Sequence, residues 1–74
     1  MGSLSLEVVL YTDEDGVWIA ECPAIPGCVS QGATEAEALA NIREAIQACL
    51  EVRKEQGLPL TEKTVHIRVP MDDT

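Results

Sequence analysis

Residues 21–39, with the sequence ECPAIPGCVSQGATEAEAL, constrain the fold of this chain more than any other stretch. Each of its two prolines disfavours helical geometry in the preceding residue and lacks the N–H that a strand ladder needs. Pro26 and Gly27 fit the two central positions of a type II turn, which ends an extended loop in a sharp reversal. The stretch therefore predicts the end of one strand, a rigid elbow at residues 23–28, a short strand over residues 28–31 and the start of a helix.

Two strands are expected before the elbow, over residues 4–11 and residues 17–22. Asp15 and Gly16 end the stretch between them and predict a tight hairpin turn. The first strand places alternate residues on opposite faces of the sheet. One face consists of Leu4, Leu6, Val8 and Leu10, and the other of Ser5, Glu7, Val9 and Tyr11.

The second strand is apolar on both faces, a pattern typical of a central strand that is covered twice. The sequence offers a single helix, which can cover only one of these faces. We therefore expect a second copy of the chain to cover the other face, giving a homodimer or a higher oligomer. The candidate self-association residues are Val17, Trp18 and Ile19.

The helix is the clearest element in the sequence. Thr34 is the expected N-cap, and Glu37 three residues later completes a capping box. Helical spacing continues to about Glu55, after which Gly57 and Pro59 predict the end. The apolar stripe consists of Leu39, Ile42, Ile46, Cys49 and Leu50, whereas Glu37, Asn41, Glu44, Gln47 and Glu51 are expected to face away. At ~1.5 Å per residue the helix is ~30 Å long and exceeds a typical strand, so one end should overhang the sheet.

A last strand is predicted over residues 64–69, where Val65, Ile67 and Val69 alternate with His66 and Arg68. Pro70 ends it, and residues 70–74 are expected to form a frayed tail. Residues 1–3 are expected to be an expression remnant or a disordered start. The predicted fold class is α+β with the order βββαβ, in which one mainly antiparallel sheet packs against a single long helix. The 74 residues leave room for one domain, covering residues 1–74.

The net charge of −8 argues against a nucleic-acid phosphate backbone as the ligand of this domain. It favours a basic protein partner, because complementary charge speeds encounter and excludes wrong partners. The candidate partner-binding residues are the hairpin carboxylates Asp13, Glu14 and Asp15 and the elbow residues Pro23, Ile25 and Pro26.

No constellation of residues predicts catalysis, a cofactor or a metal. Cys22, Cys28 and Cys49 match neither a zinc spacing nor a redox spacing and are expected to be buried as small apolar residues. The sole histidine, His66, has no expected role. No apolar run approaches the ~20 residues of a membrane span and no signal peptide is present, so a cytoplasmic protein is expected.

Residues 13–51 also resemble a known family, the N-terminal domain of HicB-type antitoxins. The family typically shows an acidic-Gly hairpin, an aromatic residue, the pattern P-x-x-P-G-C, a polar-Gly-x-Thr segment, and E-A-x-x-N-I-x-E-A-I on its helix. The matching residues here are Asp15, Gly16, Trp18, Pro23, Pro26, Gly27, Cys28, Gln31, Gly32, Thr34, Glu37, Ala38, Asn41, Ile42, Glu44, Ala45 and Ile46.

The resemblance implies a reduced ribonuclease H-like fold without a working nuclease site. It further implies that the domain neutralises a HicA-type toxin, a small basic ribonuclease, by covering its active surface. Many members carry a C-terminal DNA-binding segment, but nothing follows Thr74, so direct DNA binding is not expected.

Two alternatives remain open. The chain could be an orphan homo-oligomer with a structural or binding role. It could also be a remnant nuclease that holds magnesium with Asp13, Asp15 or Glu21, although two-metal chemistry needs carboxylates from several strands and the first strand offers only Glu7.

Overall fold

The structure is a computed structural model that describes residues 4–63 and 65–72. Three antiparallel strands precede one long helix: β1 (Val9–Thr12), β2 (Trp18–Glu21), β3 (Val29–Gly32) and α1 (Glu35–Glu55). The sheet order is β1-β2-β3, so β2 is central. This arrangement confirms the predicted α+β class.

The hairpin between β1 and β2 is closed by short hydrogen bonds. The Asp13 amide donates to the Val17 carbonyl at 2.9 Å, and the Gly16 amide donates to the Asp13 carbonyl at 3.1 Å. Gly16 has a φ of 80°, a left-handed conformation that costs a glycine little. The result is a three-residue hairpin loop in which a type I turn is followed by a glycine bulge, and it confirms the turn predicted from Asp15 and Gly16.

β1 is shorter than predicted, because its partner strand ends early. β2 stops at Glu21 and the chain then enters the elbow, so residues 4–8 have no β2 residues opposite them. From Ser5 to Val8 the side chains alternate as expected: Leu6 and Val8 pack against the core, whereas Ser5 and Glu7 are exposed. Leu4, expected on the same face as Leu6, is 53% exposed. Residues 4–8 therefore continue the line of β1 as extended but unpaired chain.

The elbow is folded by two consecutive turns. The Ile25 amide donates to the Cys22 carbonyl, and the Cys28 amide donates to the Ile25 carbonyl, both at 3.1 Å. The Cys22 amide closes the loop on the Cys28 carbonyl at 3.0 Å. Gly27 has a φ of 78°, as the third residue of a type II turn requires, so the predicted reversal is confirmed.

Both ends of α1 lie where the sequence predicts them. The Thr34 hydroxyl accepts a hydrogen bond from the Glu37 amide at 3.1 Å. The return bond from the Glu37 side chain, which would complete the capping box, is not among the hydrogen bonds of the described residues. At the other end, Gly57 with a φ of 71° starts a Schellman motif, in which the Leu58 amide donates to the Arg53 carbonyl at 2.9 Å.

The start of α1 lies directly on β3. A Cβ atom added to Gly32 would stand 2.5 Å from the Ala38 nitrogen, so only glycine allows this approach. Asn41, predicted to face away, is half-buried instead, and its amide nitrogen donates to the Gln31 carbonyl at 2.8 Å. The sequence pattern missed this bond because polar residues at helical spacing indicate a solvent face by default.

The core lies between the sheet, the elbow and the buried line of α1. Its members are almost fully buried: Ala20, Cys22, Ile25, Cys28, Ala38 and Ile42. Half-buried apolar residues surround them, including Trp18, Ile46 and Leu50. Leu39, expected in the apolar stripe, is exposed, because α1 packs mainly on β3 and β2 and leaves the side of β1 uncovered.

The predicted fourth strand is not formed within residues 65–69, the part of it that the structure describes. Residues 65–72 belong to no strand, and Thr64, the first residue of the prediction, lies outside the described residues, as do residues 1–3 and residues 73–74. The Glu62 amide donates to the Ala24 carbonyl at 2.6 Å, which fixes the linker at the elbow and away from the free edge of β1. Alternating apolar residues favour the side-chain pattern of a strand, but a strand also needs an edge with which to pair.

Candidate functional site

The acidic residues are concentrated in the first part of the chain. Residues 1–42 contain seven of the thirteen acidic residues and no lysine or arginine, which gives −7 of the net −8. The remaining residues hold six acidic and five basic residues and contribute −1. The strands and the helix start therefore carry almost all of the net charge.

The fold brings five of these carboxylates to one end of the sheet. Thr12, Trp18 and Gly32 lie side by side in the sheet register. The hairpin loop joins the first two of these residues, and α1 begins shortly after the third. The structure therefore has an acidic end, formed by Asp13, Glu14, Asp15, Glu35 and Glu37.

The three hairpin carboxylates differ in what they do. The Asp13 Oδ1 atom accepts hydrogen bonds from the Asp15 and Val17 amides, each at 2.9 Å, and thereby holds the loop in shape. Glu14 and Asp15 are exposed, and their side chains make no hydrogen bond within the described part of the chain. Asp13 is therefore a structural residue of the loop, and the other two carboxylates are available to a partner.

The face of the sheet that points away from α1 is uncovered and largely apolar. This open face consists of Val9, Tyr11, Ile19, Glu21, Val29 and Gln31, as the strand register requires. Val9, Tyr11 and Val29 are 43%, 44% and 52% exposed. For self-association, the sequence predicted only Ile19 from this set, although the same alternation in β1 and β3 marks its neighbours.

The Glu21 carboxylate, at the elbow end of the open face, acts on the neighbouring Tyr11. Partial desolvation and the nearby Glu21 carboxylate raise the pKa of Tyr11 above its ordinary value of 10.0, with a smaller effect from Asp13. Tyr11 therefore keeps its proton and remains a hydrogen-bond donor throughout the physiological pH range.

The residues predicted for self-association point to different faces. Ile19 lies on the open face. Val17 precedes β2 and is two residues from Ile19, so strand alternation assigns it to the same face. Trp18 lies on the opposite face, half-buried against the core. Trp18 therefore acts as a core residue in the described structure.

The elbow residues predicted for partner binding also divide into two groups. Pro23 and Pro26 are exposed, whereas Ile25 is 1% exposed and belongs to the core. Ile25 can support the elbow but cannot touch a partner without local unfolding. The elbow adjoins the row of Val9, Glu21 and Val29, which is the end of the sheet opposite the acidic end.

The carboxylates of the nuclease alternative are not brought together. Asp13 and Asp15 lie at the hairpin tip, and Glu21 lies at the other end of β2, ~10 Å along the strand. Among the described residues, no group of three His, Cys, Asp or Glu side chains could hold a metal ion.

The three cysteines are free and lie in or against the core. Burial raises the pKa of Cys28 to about 11, assisted by the neighbouring thiols of Cys49 and Cys22. A thiol with such a pKa is protonated at neutral pH and is a poor nucleophile. This finding agrees with the expected role of Cys28 as a small apolar residue.

Among the described residues, no helix combines the length and the apolar character that crossing a bilayer would require.

Comparisons with known proteins place the chain in a family. The model of the HicB-like antitoxins of bacterial toxin–antitoxin systems matches residues 6–73. A UPF0150 protein of Thermoplasma acidophilum is 50% identical over 50 residues, which cover 68% of this chain and 72% of that protein. A UPF0150 protein of Helicobacter pylori is 36% identical over 67 residues, covering 90% of this chain and 92% of that protein.

No solved structure gives a significant match, so the ribonuclease H-like comparison remains an expectation. The family match spans the hairpin, the elbow and the helix, which are the elements that carry the described geometry. This chain belongs to the family of HicB-like antitoxins of bacterial toxin–antitoxin systems.

Proposed function

We propose that this protein neutralises a small basic, RNA-cleaving toxin of the HicA type by binding it directly. The observation that carries the proposal is the acidic end, where five carboxylates lie at one end of the sheet, in a part of the chain that contains no lysine or arginine. A ribonuclease needs a basic surface to hold RNA phosphates. A surface of fixed carboxylates can occupy the same basic groups and so exclude the RNA.

The open face complements the acidic end in this role. It supplies exposed apolar area, which the hairpin carboxylates border at the acidic end, and Glu21 on the central strand adds a negative charge between Val9 and Val29. Apolar residues at the centre with polar residues at the rim are the usual anatomy of a protein–protein interface. Charge then accelerates the encounter, and burial of Val9, Tyr11 and Val29 supplies affinity.

The proposed activity is binding in the cytoplasm and not catalysis. Exposed Pro23 and Pro26 lie at the end of the sheet opposite the acidic end, so we assign them a secondary position in the toxin interface at most. The net charge of −8 disfavours binding to DNA phosphates. Magnesium-dependent RNA cleavage by the purified protein alone would contradict the proposal.

The charge contribution can be tested with a HicA-type toxin as the binding partner. The double variant Glu14→Gln/Asp15→Asn should associate about tenfold more slowly at low salt, with a weaker salt dependence than the wild type. The matched control is Glu51→Gln/Glu55→Gln, which removes the same charge from the last turns of α1. Asp13 is retained because its carboxylate holds the hairpin loop. Equal association rates for the two variants would place the interface elsewhere.

The apolar contribution has its own matched pair. Val29 on the open face and Val52 on α1 are 52% and 49% exposed, so Val29→Ser and Val52→Ser are equivalent changes on different surfaces. We expect Val29→Ser to weaken toxin binding about tenfold and Val52→Ser to leave it unchanged. Val29→Ser could instead convert an oligomer to a monomer and leave toxin binding unchanged. The open face would then be covered by a second copy of the chain, as the self-association hypothesis for Val17 and Ile19 predicts.

A further inference from the structure

The fold brings the three cysteines together between the elbow and α1. Cys22 and Cys28 extend the register of β2 and β3 by one pair, and the Cys22 amide donates to the Cys28 carbonyl at 3.0 Å. The preceding pair, Glu21 and Val29, belongs to the open face. Because successive residues of a strand point to opposite faces, both cysteines point towards α1.

Cys49 reaches the same place from the helix. It follows the buried residue Ile42 by about two helical turns, so it lies on the buried line of α1 and packs against the core cluster that holds Cys22 and Cys28. Burial is the main cause that raises the pKa of Cys28, and of the two neighbouring thiols Cys49 contributes more than Cys22. The partner of Cys28 across the boundary between elbow and helix is therefore Cys49.

The three thiols differ in their access to solvent. Cys22 and Cys28 are each 2% exposed, whereas Cys49 is half-buried. Cys49 also lines a surface groove of about 300 Å³ between the elbow and α1, beside the exposed residues Pro26 and Val52. A small oxidant that enters this groove meets Cys49 first. Cys28 is the poorer nucleophile as well, because its raised pKa keeps the thiol protonated.

We propose that Cys49 is a modification site for hydroperoxides and that Cys28 completes the reaction by forming a disulfide with it. In the first step, the Cys49 thiolate attacks a peroxide oxygen and the O–O bond breaks. Cys49 becomes a sulfenic acid, and the other oxygen leaves as water or an alcohol after taking up the proton of the thiol.

In the second step, the sulfur of Cys28 attacks the sulfenic sulfur of Cys49 as its own proton is lost. The sulfenic oxygen leaves with that proton as water, and the S–S bond forms. The peroxide has gained two electrons and the two thiols have lost them. No metal takes part, and among the described residues no group of three such side chains could hold one.

The disulfide joins the elbow to α1 and closes the chain between residues 28 and 49. A crosslink of this kind stabilises a protein mainly by restricting its unfolded chain. A reducing thiol reverses the reaction and releases the elbow. The reaction needs the folded chain alone, so it does not depend on the proposed toxin binding.

The first test locates the bond in the wild-type protein. After treatment with hydrogen peroxide, free thiols are alkylated and the protein is digested with trypsin without reduction. Trypsin separates Cys49, in residues 44–53, from Cys22 and Cys28, which remain together in residues 1–43. Mass spectrometry should find the two peptides joined, with fragmentation assigning the bond to Cys28 and reduction removing it. Unjoined peptides, or a bond within residues 1–43, would overturn the proposal.

The second test uses two equally buried cysteines as a matched pair. Cys22→Ala should form the joined peptides as the wild type does. Cys28→Ala should lose them and retain the sulfenic acid on Cys49, which a sulfenic-acid-selective dione then labels. Joined peptides in Cys28→Ala, or their loss in a folded Cys22→Ala protein, would contradict the assignment. The wild-type mapping decides the matter even if a variant does not fold.

The third test measures what the bond does to the fold. Oxidised wild type should unfold at a urea concentration higher than that of the reduced protein by on the order of 1 M. Cys49→Ala, treated with peroxide in the same way, should show no such shift, which controls for oxidation of methionine. An unchanged or lower midpoint for the oxidised wild type would show that the elbow and α1 are not joined in their native positions.

Discussion

The two ends of this molecule differ in how they are held together. The acidic end is shaped by short-range hydrogen bonds, from Asp13 to its own loop and from Thr34 to Glu37, and its carboxylates contribute little burial. The elbow end is shaped by burial, with Ile25, Cys22 and Cys28 almost inaccessible to solvent. The charged surface can therefore change without disturbing the core, whereas the elbow cannot.

The largest effect expected from this comparison is at Ile25. Ile25→Ala should lower the free energy of unfolding by about 3 kcal/mol, because it leaves a cavity where the elbow meets α1. Glu14→Ala at the hairpin tip should change it by less than about 0.5 kcal/mol. Urea denaturation of both variants checks the contrast. Similar midpoints for the two would mean that the elbow is not part of the core.

The next effect depends on pH and also belongs to the elbow end. The pKa of Cys28 is raised from 9.0 to about 11, so folding favours the protonated thiol. This contribution is complete below pH 9 and is lost as the pH rises through about 11. Cys28→Ala should remove most of the fall in unfolding free energy over this range and leave the part that Tyr11 causes. An unchanged pH profile in this variant would show that another group is responsible.

The smallest effect is at the acidic end. Thr34→Ala should destabilise the protein by about 1 kcal/mol, because the Glu37 amide loses its acceptor. Thr34→Ser keeps the acceptor and serves as the control. A loss above 3 kcal/mol in Thr34→Ala would show that this end is as dependent on a single contact as the elbow end.

Local signals in the sequence predicted the local parts of this fold. The cap at Thr34, the glycine at position 57 and the turn at Pro26 are each specified by a few neighbouring residues, and each is confirmed. The features that the sequence did not predict depend on residues that are far apart along the chain. Asn41 is half-buried because of Gln31, β1 is shortened where β2 ends, and residues 65–69 lack an edge although they alternate like a strand.

The candidate site was predictable in its chemistry more than in its geometry. The acidic residues of the hairpin are visible in the sequence, but only the sheet register places them beside Glu35 and Glu37. The other candidate binding residues do not form a single site. Ile25 and Trp18 point into the core. Pro23 and Pro26 are exposed at the elbow, whereas Ile19 lies on the open face. At an irregular elbow, tertiary packing determines which side chains point inwards. A periodic sequence pattern cannot predict this.

The absence of lysine and arginine before Arg43 also determines how this protein responds to reagents that act on basic residues. Trypsin cleaves after these residues, so the strands and the first turns of the helix should survive digestion as a single long peptide. The side-chain targets of amine-reactive dyes are Lys54 and Lys63. Lys54 lies in the last turn of α1 and Lys63 in the segment after it, so neither belongs to the acidic end. Such a label would therefore leave the acidic end chemically unchanged. A fluorescent protein prepared in this way should report binding at that end without altering the residues that are proposed to produce it.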